Sequence, residues 1–115
     1  MATMTQQAAV RYNDIQISTA AKPKAVLMLH DACIKNILAA NHEPDTKREM
    51  LNKAQNIITE LQSALVISDS VSQSIFYLYD YCYTLLENGS ELECVNAYEV
   101  LSILRTSFWQ VFRSV

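Results

Sequence analysis

Two histidines, three cysteines and a cluster of tyrosines are the residues able to do chemistry here, and their spacing decides which chemistry is open. His30 and His42 are the only histidines. A bundle-type metal site takes Glu-x-x-His from each of two helices. Leu27 and Ala39 stand three residues before the histidines, so the pattern is missing and no metal site is expected. A phosphotransfer histidine would have to be exposed and activated. His30 instead falls within an apolar stripe, where a hydrogen-bonded core imidazole is the ordinary occupant. Cys33, Cys82 and Cys94 are odd in number and widely scattered, with no C-x-x-C spacing. They read as buried free thiols of a reducing compartment. One glycine cannot build a phosphate-cradling loop. No Ser/His/Asp or Cys/His set can be assembled from the spacing. Asp31, Glu60 and Asp80 read as surface carboxylates that could also meet a partner's amides. No catalytic residue and no cofactor is expected, so the chain reads as a binding protein.

The elements that place these residues follow from punctuation and period. A chain of 115 residues makes one domain, able to bury roughly two thirds of its unfolded surface. The net charge of −3 leaves no basic footprint for nucleic acid. The first eighteen residues, MATMTQQAAVRYNDIQIS, lack a charged region followed by an apolar one, so no signal peptide is expected there. The apolar run from Ala25 to Leu29 is far too short to span a bilayer. One glycine and two prolines leave little material for turns, which favours long helices with short connections.

Asn88-Gly89 suits a helix C-terminus, and Ser90-x-x-Glu93 is a capping box for the next helix. Thr46-x-x-Glu49 and Ser70-x-x-Gln73 have the same form. These signals predict helices over 22–41, 45–66, 70–88 and 90–114. The fold class is all-α, an elongated antiparallel four-helix bundle running up-down-up-down. Residues 1–21 form a loose or short-helical N-terminal segment, and 22–115 the bundle domain. Expected stripes are Leu27, His30, Ile34, Ile37 and Leu38; then Leu51, Ala54, Ile58, Leu61 and Leu65. The third helix contributes Val71, Ile75, Leu78, Cys82 and Leu85. The fourth contributes Ala97, Leu101, Leu104, Phe108, Val111, Phe112 and Val115.

Apolar side chains also lie outside these stripes. In YLYDYCYTLL, Tyr79 and Tyr83 fall on one shoulder of the third helix and Tyr77 and Tyr81 near its solvent face. Met28, Leu29 and Ala32 lie off the first stripe, while Met50, Ile57 and Ala64 line one shoulder of the second helix and Gln55 and Gln62 the other. Such shoulders either complete the core or bury a second face against a partner helix. Sequence alone leaves both open, along with a homodimeric structural module that buries the same faces.

Three stretches in register resemble the flagellar export chaperone family FliS. Tyr12 stands seven residues before Thr19-Ala20, and Thr19 stands eleven before His30-Asp31-Ala32, which matches the family's spacing through LMLYDGA. LNKAQNIITELQSAL from Leu51 resembles the family's second helix, and VSQSIFYLYDYCYTLL from Val71 its third. His30 replaces a usual tyrosine, Ala32 a glycine and Ser74 an asparagine, the usual proline is displaced to Pro23, and the connection before the third helix is shorter. These departures bear on the shape at the start of the first helix and on partner preference. The resemblance implies an elongated helical bundle in the cytoplasm, monomeric or weakly dimeric when free. It would bind the disordered C-terminal segment of flagellin as helices in apolar grooves, preventing premature polymerisation and aiding type III export. Motif and helical position together put Met28, His30, Asp31, Gln55, Asn56, Ile57, Tyr79 and Tyr83 at the partner surface. Tyr12 would belong to an N-terminal lid. The export gate protein FlhA or a co-chaperone is a further partner the resemblance allows, while nucleic acid and membrane insertion are not expected.

Overall fold

The computed structural model describes residues 22–113. Four α-helices account for nearly all of them: α1 Pro23–His42, α2 Lys47–Ala64, α3 Ser70–Asn88 and α4 Glu91–Arg113. A 3-10 turn, Pro44–Thr46, joins α1 to α2. Each helix packs against its neighbours in sequence, and α4 closes the ring by packing on α1. Short connections force successive helices to run antiparallel, giving the expected up-down-up-down bundle.

The helix ends follow local hydrogen-bond chemistry. Pro23 opens α1, where its missing N–H costs nothing. The Ser90 hydroxyl accepts from the Glu93 N–H at 3.1 Å, as its capping box predicts. The other two boxes are corrected. At the start of α3 the cap is Asp69, not Ser70: Asp69 Oδ1 accepts from the Ser72 N–H at 2.8 Å, and the Ser72 hydroxyl accepts from the Asp69 N–H at 3.1 Å. At α2, Thr46 caps nothing with its side chain. It closes the 3-10 turn with φ −108° and ψ 7°, far from the extended backbone an N-cap requires.

Gly89 ends α3 in the left-handed region, with φ 74°, and its N–H donates to the Leu85 carbonyl at 2.9 Å. A Cβ there would lie 3.1 Å from Leu51 Cδ1. Gly89→Ala is expected to cost about 1–2 kcal/mol through backbone strain alone. A thermal melt reading no loss would show that the turn can relax.

The core holds the stripe of α2 as expected, Leu51, Ala54, Ile58, Leu61 and Leu65, and from that of α4 Ala97, Leu101, Leu104, Phe108 and Val111; Phe112 is half-buried against them, and Val115 lies outside the described residues. Two stripes are rotated from the expected ones. In α1 the buried set is Val26, His30, Cys33, Ile37 and Ala40, and in α3 it is Ser72, Ile75, Tyr79, Cys82 and Leu86. Both shifts amount to roughly 60° at about 100° per residue. In α1 the small Cys33 and Ala40 turn inward; Cys33 Sγ approaches the Ala54 carbonyl of α2 at 3.5 Å. In α3 the buried polar groups are hydrogen-bonded, Ser72 with Asp69 and Tyr79 with His30, so they occupy the core-facing positions and Val71 and Leu78 turn outward.

One seam is polar. Arg48, Gln55 and Gln62, seven residues apart along α2, each donate to backbone carbonyls of α3. Arg48 reaches Leu86 O at 2.6 Å, Gln55 reaches Tyr83 O at 3.3 Å and Gln62 reaches Phe76 O at 3.2 Å. Both glutamines also donate to a carboxylate at 2.7 Å, Gln55 to Glu87 and Gln62 to Asp80. A one-turn slip of α3 would part both glutamines from their carboxylates, so these two pairs favour the observed register of the two helices.

Candidate binding surface

The outward turn of α3 creates an open apolar strip. Val71 and Leu78 are 38% and 39% exposed, although they were expected in the core. They face α4, and between the two helices lies a cleft of about 200 Å³ lined by Val71, Ile75, Leu104, Ser107, Phe108 and Val111. Ser107 is the one polar residue of that lining, and its hydroxyl already donates to the Ile103 carbonyl at 2.9 Å. No ionisable side chain lines the cleft. What it can do is bury aliphatic or aromatic side chains of something else. Helical spacing extends the strip beyond the cleft through Leu78 and Tyr81 on α3 and Val100 and Ile103 on α4. Of these, Tyr81 is 49% and Ile103 66% exposed. The cleft sits at the end of the bundle where α3 begins and α4 ends, which is also where α1 begins.

The residues expected at a partner surface do not converge on it. His30, Gln55 and Tyr79 are buried and present no surface to a partner. Hydrogen bonding explains each of them: Gln55 in the α2–α3 ladder, and His30 with Tyr79 in a pair described below. Asp31 is exposed but engaged, its carboxylate held by Arg105 across the α1–α4 seam at 2.9 and 3.3 Å. Ile57 is half-buried and packs on the core. Met28, Asn56 and Tyr83 remain exposed, on three different helices. Tyr12 lies outside the described residues. Ile75, Leu104, Phe108 and Val111 are core residues as expected, whereas Val71 and Leu78 were expected in the core and are exposed. Their signal was that α3 carries more apolar residues than one stripe can hold.

Burial dominates the electrostatics of the interior. It pushes the Cys33 and Cys82 thiols up to about 12 and raises Cys94 as well. All three are free and buried, so in the folded protein they should react with a thiol reagent only as fast as the bundle opens. Burial likewise holds His30 below its ordinary value of 6.5, opposed by the Val26 carbonyl it bonds. Asp31 and Arg105 act on it in opposite directions.

A buried neutral imidazole has a definite sign for stability. The unfolded chain takes up a proton near 6.5 and the folded chain resists it. Stability is therefore complete above that value and declines as pH falls below it. The Asp69 carboxylate, held low by its Ser72 hydrogen bonds, acts in the same direction at lower pH. Melting temperature is expected to fall between about pH 7.5 and about pH 5.5, and His30→Gln should remove most of that slope. An equal slope in the variant would place the acid sensitivity elsewhere.

Among the described residues no three of His, Cys, Asp and Glu come together as a metal-holding group. No described helix is long and apolar enough to cross a membrane. The sequence profile of the family described as "Flagellar protein FliS" matches residues 4–108. A Bacillus subtilis (strain 168) protein named "Flagellar secretion chaperone FliS" is 40% identical over 80 residues, covering 65% of this chain and 60% of that relative. The matched region thus spans less than two thirds of the relative's length.

Proposed function

This chain belongs to the FliS family of flagellar proteins, and from that premise we propose that it is a flagellar secretion chaperone with no catalytic activity. Its client is the disordered C-terminal segment of flagellin. The segment binds as an amphipathic helix with its apolar side chains in the α3–α4 cleft, which keeps flagellin from polymerising before export. The observation that carries this reading is a cleft free of charge, continued by exposed apolar residues on both flanking helices. Helix-in-groove recognition needs such a surface and little else. Ordering the segment costs about 2–5 kcal/mol, so the contact has to be long. The exposed strip from Val71 to Tyr81 runs for almost three turns, which favours a client segment of comparable length.

The place of action is the cytoplasm, where export clients are held before secretion. The export gate protein FlhA or a co-chaperone is a second partner. Met28, Asn56 and Tyr83 are further contacts for parts of the segment that continue beyond the cleft.

Calorimetric titration with a peptide of the last forty or so residues of a flagellin from the same organism tests the reading. A 1:1 complex with a negative heat-capacity change and a gain of helicity is expected. Absence of heat, together with a concentration-dependent dimer in light scattering, would replace the chaperone with a module that buries these faces in a second copy of itself.

A further inference from the structure

Both walls of the α3–α4 cleft rest on one residue of a third helix. His30 of α1 is fully buried where α1, α3 and α4 meet. Its Nδ1 lies 2.8 Å from the Val26 carbonyl oxygen, which can only accept, so this nitrogen carries the proton. Its Nε2 then presents a lone pair to the Tyr79 hydroxyl, which donates at 2.8 Å. Burial raises the Tyr79 phenol, so the hydroxyl keeps its proton for this bond. The imidazole also packs on Phe108, with ring centroids 5.4 Å apart. Phe108 lines the cleft from α4, and Ile75, one turn before Tyr79, lines it from α3.

The two attachments differ in kind but converge on one ring. The α3 wall is tied to His30 by a directed hydrogen bond, the α4 wall by ring packing. We infer that His30 is a positioning residue that sets the width of the cleft, acting through Tyr79 on one wall and Phe108 on the other. It touches no client itself, because it is closed off from the surface. This role rests on the reading of the cleft as the client site. A site is only as precise as the shell that holds its walls, and here that shell is a single polar pair inside an otherwise apolar junction. Bundle stability does not demand such a pair, since two apolar side chains of similar shape would fill the same space.

The double variant His30→Leu/Tyr79→Phe separates positioning from mere structure. It removes both hydrogen-bonding partners together and leaves no buried polar group unpaired, so the bundle should stay folded with nearly unchanged stability. Two readouts are needed. In the free protein, nuclear Overhauser contacts across the cleft between the methyls of Ile75 and Val111 report its width. In the complex, titration with the flagellin peptide reports its use. The double variant is expected to change the cross-cleft contacts and weaken the peptide about tenfold. His30→Gln, whose amide oxygen can accept from Tyr79 but which has no ring to pack on Phe108, should recover only part of the loss in contacts and affinity. A folded double variant with unchanged cross-cleft contacts would overturn the inference, as would unchanged peptide affinity beside a wild type that binds. A wild type that fails to bind the peptide would reject the flagellin reading instead, and the cross-cleft contacts would then decide the role of His30 alone.

Discussion

Val71→Glu/Leu78→Glu is expected to fold like the wild type and to lose the flagellin peptide by about a hundredfold or more. Both side chains are more than a third exposed, so neither substitution opens a cavity in the core. Position 71 lies in the first turn of α3, where a carboxylate is favoured by the helix dipole and the free N–H groups. The free protein therefore has little reason to unfold. In the complex the same carboxylates would be covered by an apolar helix with no cation in the cleft lining to pair with them. Leaving a charge buried and unpaired costs about 3–5 kcal/mol, which sets the size of the expected loss. Unchanged helicity with full peptide affinity would move the client to another face.

Leu101→Ala should have the opposite profile. Leu101 is fully buried in the middle of α4, among residues drawn from the surrounding helices. Truncating it removes apolar contacts and leaves a cavity the packed bundle can only partly close. The expected cost is about 2–5 kcal/mol, which for a domain of this size lowers the melting temperature by about 10–30 °C. Ile103, two residues along the same helix, is 66% exposed. Ile103→Ala should stay within about 0.5 kcal/mol of the wild type in stability. Two positions on one helix, two residues apart, would thus separate core from spare surface. Similar melting losses for both would mean that the exposed strip is part of the core's support and not a spare surface.

The contrast between Leu101 and Leu78 also shows what the sequence could reveal. Helix number, connections and the stripes of α2 and α4 were legible, because those helices carry large aliphatics at regular spacing with polar residues opposite. The stripe of α3 was misplaced because hydropathy ranks a serine and a tyrosine below a leucine, yet Ser72 and Tyr79 are buried, each with a partner in reach. In α1 His30 was expected in the stripe and is buried there; the shift comes from Val26, Cys33 and Ala40, which are buried in place of Leu27, Ile34 and Leu38. A hydrogen bond between residues 30 and 79 joins two helices that are far apart in sequence, and no local pattern announces it. Once Tyr79 turns inward, Leu78 must turn outward, and the cleft follows from that rotation. The polar ladder was half visible, since Gln55 and Gln62 were noted on one shoulder of α2. Their acceptors are backbone carbonyls of α3, which leave no mark in the sequence.

Asp31 illustrates a different limit. Its position on the surface was expected, but its ion pair with Arg105 depends on α4 closing against α1. Exposed pairs of this kind contribute little to stability, so the bridge links α1 to α4 without carrying the bundle's stability. On α4 the Arg113 guanidinium covers Trp109 at 4.6 Å from the ring centroid. The α3–α4 cleft is lined by no charged residue, which is why it is the better place for a client helix.

The most direct test of that placement is amide chemical-shift mapping of the isotope-labelled protein titrated with the flagellin C-terminal peptide. Shifts concentrated at Val71, Leu78, Leu104, Ser107 and Val111, with smaller ones at Met28, Asn56 and Tyr83, are the predicted result. Saturable shifts confined to α1 and α2 with the α3–α4 cleft silent, or no shifts at all, would contradict it.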